Sequence, residues 1–263
     1  MNSLLTKASA ALTLALSISA CTSPATIDDL SAVTHVHGLV IHDGRILAGT
    51  HEGLFVAEDD NSWSLVGEPF DVMGLAEVDG ELFASGHPGP DFEFPDPLGL
   101  LSSSDGGASW KARSLTGEVD FHLLKGSGET LIGVAANLNV LVKSDDAGAN
   151  WISLEVPALS DIALDPDNPS SMVLVNEEGA HFSEDGGSSF RLVATKIRPA
   201  KIDWSAGGLF AATPEAVWRW DEAGQEWQPV ETGFKDIRAL ATSADQIALL
   251  EGSSLRTVAV PAG

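Results

Sequence analysis

Two histidines stand two residues apart in an otherwise apolar stretch, "THVHGLV", in a chain that has only seven histidines. Three more begin or end similar hydrophobic runs, in "GTHEG", "SGHPG" and "DFH". Neutral imidazole is a common ligand of copper and zinc. A single histidine of this kind is more often a satisfied polar residue at a strand end, so a shared site requires that the five converge. The five are His35, His37, His51, His87 and His122.

Convergence depends on how the chain repeats. Three segments share the pattern Ser-x-Asp-x-Gly-x-x-aromatic, "SSDGGASW", "SDDAGANW" and "SEDGGSSF", and their aromatic residues are 41 and 39 residues apart. The pattern predicts a hairpin turn in which the Asp carboxylate accepts hydrogen bonds from backbone amides, the Gly adopts a positive φ and the aromatic packs between strands. The residues with these structural roles are Asp105, Gly107, Trp110, Asp146, Gly148, Trp151, Asp185, Gly187 and Phe190.

The motif resembles the Asp-box, or BNR repeat, of sialidases, sortilin-like receptors and several photosystem-assembly and surface proteins. Two weaker copies, "EDDNSW" and "WDEAGQEW", extend the series, and a sixth unit, "IRALATSADQIALLEGSSLRTVAV", has no box. Six units of four short strands predict an all-β fold, a six-bladed β-propeller over residues 34–263 in one domain. Because the sixth unit has only three strand-like runs, we expect the segment "ATIDDLSAV" to supply its fourth strand.

Alignment of the six units brings the histidines into register. His37, Met73 and His122 take the same position of the first strand in units one to three, and His51 and His87 both follow the second strand. First strands line the channel of a propeller, so we predict a metal or small-ligand site at one mouth, with copper favoured over zinc because of the thioether. The expected ligands are His35, His37, His51, Met73, His87 and His122. Carboxylates that would orient the imidazoles, or serve instead as an acid/base pair, are Asp71, Asp120, Asp161 and Glu52.

The second unit carries an insertion, "HPGPDFEFPDPLG", which is longer than the equivalent turn of the other units. We expect residues 88–98 to overhang the same mouth, where Phe92 and Phe94 would face a ligand, together with the acids Asp91, Glu93 and Asp96. A decorative loop is the alternative.

The repeats alone would suggest a sialidase, but sialidases resemble one another in using a tyrosine nucleophile, and this chain has no tyrosine. The mouth segments "HVHGL", "GTHEGLF", "MGL", "SGHPGP" and "DFH", with the boxes, also resemble a group of bacterial secreted proteins labelled glycosylhydrolase-like. That resemblance supplies no catalytic residues, which stay unassigned. We therefore expect a binding module, and a glycosyl hydrolase of non-sialidase type with carboxylates roughly 5–9 Å apart is the alternative.

The first twenty residues predict a lipoprotein signal peptide. Lys7 is the only charge before the apolar run "ALTLALSI", which is too short to span a bilayer permanently, and the run ends in "ISAC". This ending resembles the lipobox of bacterial lipoproteins, which implies cleavage before Cys21, lipid attachment to its sulfur and a lipid-attached segment at 21–33. We expect an exported monomer, anchored at the cell envelope by lipid only. An ordinary signal peptide is the alternative.

The net charge of −24 is the remaining global constraint. A surface this acidic repels phosphate backbones, which excludes nucleic acid as an expected partner. Cys21 is the only cysteine, so no disulfide can form within the chain and stability must come from packing.

Overall fold

The computed structural model describes residues 26–59 and 61–261, so Cys21 and the predicted signal peptide lie outside the described residues. Six antiparallel sheets follow one another along the chain and pack against their neighbours in a ring. This is the six-bladed β-propeller that the repeats predict. In the part of the chain that the structure describes, helix is limited to a single turn at Leu30–Ala32, and no helix has the length and apolar character to span a membrane.

Each blade runs from an inner strand at the channel to an outer strand at the rim. Blade one contains β1 (Thr26–Ile27), β2 (Val36–His42), β3 (Arg45–Thr50), β4 (Gly53–Ala57) and β5 (Trp63–Val66), and blade two contains β6 (Asp71–Val78), β7 (Glu81–His87), β8 (Leu100–Ser103) and β9 (Lys111–Ser114). Blade three contains β10 (Phe121–Ser127), β11 (Thr130–Ala135), β12 (Val140–Ser144) and β13 (Ile152–Leu154), and blade four contains β14 (Asp161–Leu164), β15 (Met172–Asn176), β16 (Gly179–Ser183) and β17 (Arg191–Val193). Blade five contains β18 (Lys201–Ser205), β19 (Gly208–Thr213), β20 (Ala216–Asp221) and β21 (Glu226–Thr232), and blade six contains β22 (Ile237–Thr242), β23 (Gln246–Glu251) and β24 (Ser254–Ala259).

The core lies between the blades. The second strands β7, β15 and β23 are buried through their centres because neighbouring blades cover both of their faces, and their sequences accordingly read as continuous apolar runs. One hydrophobic cluster joins Phe55 and Trp63 of blade one to Ala248 and Leu250 of blade six. The ring is therefore closed by side-chain packing between the first and last blades.

The N-terminal segment does not take the position that the sequence predicts. β1 pairs with β5 at the rim of blade one, with Ile27 opposite Trp63, and blade six has three strands among the described residues. The prediction that this segment completes blade six is wrong. Leu30 and Val33 pack into the seam between blades one and six, and Asp29 caps the turn Leu30–Ala32 by accepting a hydrogen bond from Ser31 N at 2.7 Å.

The Ser-x-Asp-x-Gly turns join third and fourth strands, at the end of the blades opposite to the start of the first strands. Asp146 Oδ1 accepts hydrogen bonds from Ser144 Oγ and Asn150 N, and its Oδ2 accepts one from Asn150 Nδ2. Ser144 Oγ in turn accepts from the amide of Gly148, which has a φ of 86°. The hydrogen bonds of the serine Oγ, the glycine amide and the later backbone amide recur around Asp105 and Asp185, where Oδ2 accepts from the hydroxyl of Ser109 or Ser189 instead. These carboxylates thus stabilise the turns in which they lie, as the motif predicts.

The aromatic residues of these turns differ in burial. Trp110 is buried, whereas Trp151 and Phe190 are only partly buried. Trp63 and Trp227, which belong to the two weaker copies, are buried as well. The aromatic therefore packs between strands in every copy, but to different depths.

Candidate functional site

The residues that share a register on the first strands also share a backbone irregularity. The pairing of first and second strands skips one residue at His37, Met73, His122 and Arg238, in blades one, two, three and six. The equivalent pairings of blades four and five have no such shift. A β-bulge adds an unpaired residue and redirects its side chain. The bulge is the physical reason why His37, Met73 and His122 occupy one structural position.

Two histidines and a carboxylate meet at the boundary between blades one and two. His37 comes from the bulge of β2, His51 follows β3, and Asp71 begins β6. His51 Nδ1 lies 2.7 Å from Asp71 Oδ2, and His37 Nε2 lies 3.4 Å from Asp71 Oδ1. The rings of His37 and His51 are perpendicular, with centroids 4.6 Å apart, and the ring of His35 is 5.2 Å from that of His51. We call His37, His51 and Asp71 the first cluster.

Two atoms of the first cluster are buried without a hydrogen bond. His37 Nε2 and Asp71 Oδ1 have no hydrogen-bond partner among the described residues, although they face each other. Buried polar atoms are nearly always paired, because an unpaired one loses its hydration without compensation. Two ligand atoms held about 2.1 Å from one tetrahedral ion would be about 3.4 Å apart. The observed gap is too long for a hydrogen bond of good geometry and suits an ion between the two atoms.

The electrostatics of His37 favour its neutral form. Burial lowers the pKa of His37, and the nearby histidines His51, His122 and His35 lower it further, against the opposing effect of the Asp71 carboxylate. Neutral imidazole is the form that binds a metal, since the protonated ring has no free lone pair.

A second group of side chains lies at the boundary between blades two and three. His122 Nε2 is 2.7 Å from Asp120 Oδ2, and His87 Nε2 is 3.6 Å from the same oxygen. The other ring nitrogen of His87 lies 2.7 Å from Asp96 Oδ1 in the insertion. Asp120 is buried, and its Oδ1 has no hydrogen-bond partner in the described part of the chain. We call His87, Asp120 and His122 the second cluster.

His87 differs from His37 in its electrostatics. Burial lowers the pKa of His87, but the hydrogen bond that its ring donates to Asp96 and the charges of Asp120, Asp96 and Asp71 outweigh it, so the pKa is raised. The two clusters therefore influence each other, because Asp71 of the first acts on His87 of the second.

Three residues that the sequence places at the mouth, Met73, Asp161 and Glu52, belong to neither cluster. Met73 lines a cavity of about 250 Å³ below the mouth, together with His37 and His122. Asp161 lines the same cavity, but its carboxylate accepts hydrogen bonds from the amides of Ile162 and Ile202. Glu52 accepts hydrogen bonds from the amide and hydroxyl of Thr34, at 3.0 and 2.6 Å. The hydrogen bonds of Asp161 and Glu52 thus go to the backbone and to Thr34, and to no imidazole.

The insertion also departs from expectation. Phe92 is buried and stacks on Phe70 at 4.7 Å, and Phe94 packs on Phe92 at 4.9 Å. These rings fill the space between blades one and two, so the expectation that they face a ligand is wrong. The acid that reaches the mouth is Asp96, through its contact with His87.

Sequence reasoning missed an ion pair deeper in the channel. Lys125 Nζ donates to Asp203 Oδ1 at 3.0 Å, and Asp203 Oδ2 accepts from the amide and hydroxyl of Thr242. Burial alone would lower the pKa of Lys125, but Asp203 and Asp161 raise it, so the lysine stays charged. Lys125 lines both the mouth cavity and a cavity of about 280 Å³ toward the other end, and the pair lies between them. The available signal was a lysine inside a channel-lining strand, "HLLKG".

Comparison with known proteins supports the architecture. No family model and no curated protein matches this sequence. Among solved structures, gluconolactonase XC5397 from Xanthomonas campestris is similar with a TM-score of 0.65 at 12% identity, over 92% of this chain and 96% of that one. The GH74 enzyme NkGH74 from Niastella koreensis has a TM-score of 0.60 at 15% identity, over 86% of this chain and 42% of that one. YCF48 bound to D1 peptide has a TM-score of 0.52 at 17% identity, over 92% of this chain and 98% of that one. At these identities the likeness shows the fold alone.

Proposed function

We propose that the protein is a metal-binding β-propeller that holds a transition-metal ion at one mouth of its channel. The observation that carries the proposal is the pair His37 Nε2 and Asp71 Oδ1, two buried ligand atoms 3.4 Å apart that make no hydrogen bond within residues 26–59 and 61–261. His51 adjoins both residues, and His37, His51 and Asp71 each offer one ligand atom such that the three lie within 4.8 Å of one another. Buried orphan atoms cost stability unless a ligand compensates them.

The donor set favours copper first and zinc second. Two imidazole nitrogens and a carboxylate oxygen suit both ions, and a site of nitrogen and oxygen ligands binds copper(II) most tightly of the divalent first-row metals. Met73 offers a thioether in the adjoining cavity, which would add affinity for copper. The charged pair of Lys125 and Asp203 lies in the channel below the mouth.

Metal analysis of untagged protein tests this proposal. Protein incubated with copper(II) or zinc, desalted and measured by elemental analysis should retain metal, and His37→Ala should retain much less. His181→Ala is the matched control, because His181 lies in the third strand of blade four, away from the mouth. Wild-type protein without bound metal would refute the proposal.

We further propose that the protein is a lipoprotein of the bacterial cell envelope. The support is the sequence around Cys21 alone. Cys21→Ser should abolish incorporation of labelled fatty acid and release the protein from membranes. Equal labelling of wild type and variant would identify an ordinary signal peptide instead.

A glycosyl hydrolase of non-sialidase type is the second candidate. Its support is that Asp71 and Asp120 lie at one mouth in neighbouring blades, each with a buried oxygen that makes no hydrogen bond to the described residues. The GH74 neighbour shares the fold with this chain, which by itself does not transfer an activity. A broad panel of aryl glycosides tests this candidate, since wild-type cleavage should be lost in Asp71→Asn or Asp120→Asn.

A further inference from the structure

The third strand of blade six is exposed at the position where the third strands of other blades are covered. Every residue of β8, and most residues of β4, β12 and β16, are buried because a fourth strand lies outside each of them. In β24 no residue is buried, and four of its six residues are exposed. The outer edge of β24 pairs with no strand among residues 26–59 and 61–261. The rim of blade six therefore has room for one more strand.

Backbone groups of β24 point alternately toward β23 and toward this open edge. The amide of Val260 donates to Asp245 O on the side of β23, at 2.9 Å. Alternation along the strand therefore directs the N–H and C=O groups of every second residue to the open edge, namely Leu255, Thr257 and Ala259. Proteins commonly protect such an edge with a proline or a bulge. The outer strand of blade five contains Pro229, whereas β24 contains neither feature.

On the side of blade one, an acidic groove flanks β24. The groove has a volume of about 630 Å³ and is lined by Thr257 and Ala259 of the strand. Its charged lining consists of three acids, and no basic side chain is among the described residues that line it. The acids are Asp43, Glu77 and Asp245.

On the side of blade five, a second groove has a different character. It has a volume of about 610 Å³, and Phe234 and Val258 supply its apolar surface. Its charges balance, since Glu231 and Glu251 are matched by Lys235 and Arg256. Arg256 Nε also pairs with Glu251 Oε2 at 3.2 Å, so the one charged side chain of β24 is engaged within blade six.

We propose that the edge of β24 binds an extended basic segment of a partner protein, which adds a fourth strand to blade six. An added strand places alternate side chains on the two faces of the sheet. Basic side chains would lie over the acidic groove, and apolar ones over Phe234 and Val258, so the segment alternates basic and apolar residues. Edge pairing between two copies of this chain is disfavoured, because each copy carries a net charge of −24.

Peptide binding tests the proposal. The probe is a fluorescein-labelled octapeptide of alternating lysine and valine, and the control has the same residues in two blocks, with equal charge but no alternation. By fluorescence anisotropy, the alternating peptide should bind wild type about tenfold more tightly. Thr257→Pro removes an amide at the open edge and spares the pairing with β23, so this preference should disappear. Thr257→Ala keeps the amide and should keep the preference.

A second pair of variants tests the acidic groove without a proline. Asp43 and Asp79 are exposed residues in equivalent turns of blades one and two, at φ values of 50° and 51° that asparagine also tolerates. Only Asp43 lines the groove beside β24. Asp43→Asn should weaken binding of the alternating peptide about threefold, the effect of one exposed ion pair, and Asp79→Asn should leave it unchanged. Equal melting temperatures check that all variants are folded.

Four results would overturn the proposal. Equal binding of the two peptides to wild type would show attraction by net charge alone. Equal losses in Asp43→Asn and Asp79→Asn would remove the acidic groove as the feature that selects the partner. Absence of binding would show that the edge takes no basic strand. A wild-type dimer in analytical ultracentrifugation that Thr257→Pro abolishes would assign the edge to a second copy of the chain.

Discussion

Aspartates serve both faces of this propeller, but their oxygens are partnered differently. At the turns between third and fourth strands, both oxygens of Asp146 accept hydrogen bonds, from Ser144 and Asn150. At the channel mouth, Asp71 Oδ2 is beside His51, while its Oδ1 is buried with no hydrogen-bond partner among the described residues. A carboxylate whose oxygens both accept hydrogen bonds stabilises its own turn. A buried carboxylate oxygen without a hydrogen bond lowers the stability of the fold, and that loss is offset only when a ligand binds.

This difference separates the residues of the fold from those of the proposed site. Substitution of a fold residue should lower the stability of the protein and leave metal affinity unchanged. Substitution of a site residue should lower metal affinity and leave stability unchanged or higher.

Trp110→Ala should produce the largest loss of stability with no loss of function. The ring is buried between blades one and two, where it packs against Phe70 with centroids 5.7 Å apart. Truncation of a large buried aromatic leaves a cavity and costs about 3–5 kcal/mol. Denaturant unfolding measures the loss, and metal affinity measured well below the unfolding transition should equal that of wild type. A parallel loss of metal affinity would show that the two groups of residues are coupled.

His37→Ala and His51→Ala should each weaken copper binding at least tenfold, or about 1.4 kcal/mol, because each removes a ligand of the first cluster. His42→Ala and His181→Ala should leave copper affinity unchanged, since neither lies at the mouth. Copper titration of the four variants checks this. Equal effects at all four positions would mean that the histidines are structural.

Acid should lower the stability of the fold by protonating the hydrogen-bonded carboxylates of the turns. Hydrogen bonds from the side chain and amide of Ser109 to Asp105, and of Asn150 to Asp146, lower the pKa of both carboxyl groups to about 2 from the ordinary value of 3.8. A group with a depressed folded pKa contributes stability that is complete above its unfolded pKa and is lost as pH falls through the folded one. The melting temperature should therefore drop between pH 3.8 and about 2. Asp146→Asn should show a shallower drop, and an unchanged slope would contradict this assignment.

The fold was predictable from sequence because its turns recur. Asp105, Asp146 and Asp185 open identical hydrogen-bonded turns at nearly constant spacing, and such local chemistry is visible in the sequence. The placement of β1 was not predictable. The outer edges of blade one and of blade six were both open to it, and it pairs with blade one while Leu30 packs in the seam between the two blades. Such packing depends on residues more than two hundred positions apart.

The site was predictable in its histidines and less so in their partners. Alignment of the repeats found the common position of His37 and His122 without revealing the bulges that create it. Asp71 was expected to orient imidazoles from behind, whereas its Oδ1 faces His37 Nε2 as a candidate ligand atom itself. The pair of Lys125 and Asp203 joins residues 78 positions apart, so the lysine of "HLLKG" is visible in the sequence but its partner is not.

A paired comparison of Asp71→Asn and Asp146→Asn tests whether the mouth carboxylate is a metal ligand or a residue of the fold. Both changes remove one negative charge with little change in shape, one at the mouth and one in a turn. Denaturant unfolding without metal, followed by copper titration, should show that Asp71→Asn folds at least as stably as wild type and loses copper affinity at least tenfold. Asp146→Asn should be less stable and bind copper as wild type does. If Asp71→Asn instead loses stability and keeps its copper affinity, its carboxylate belongs to the fold and the proposed metal site is wrong.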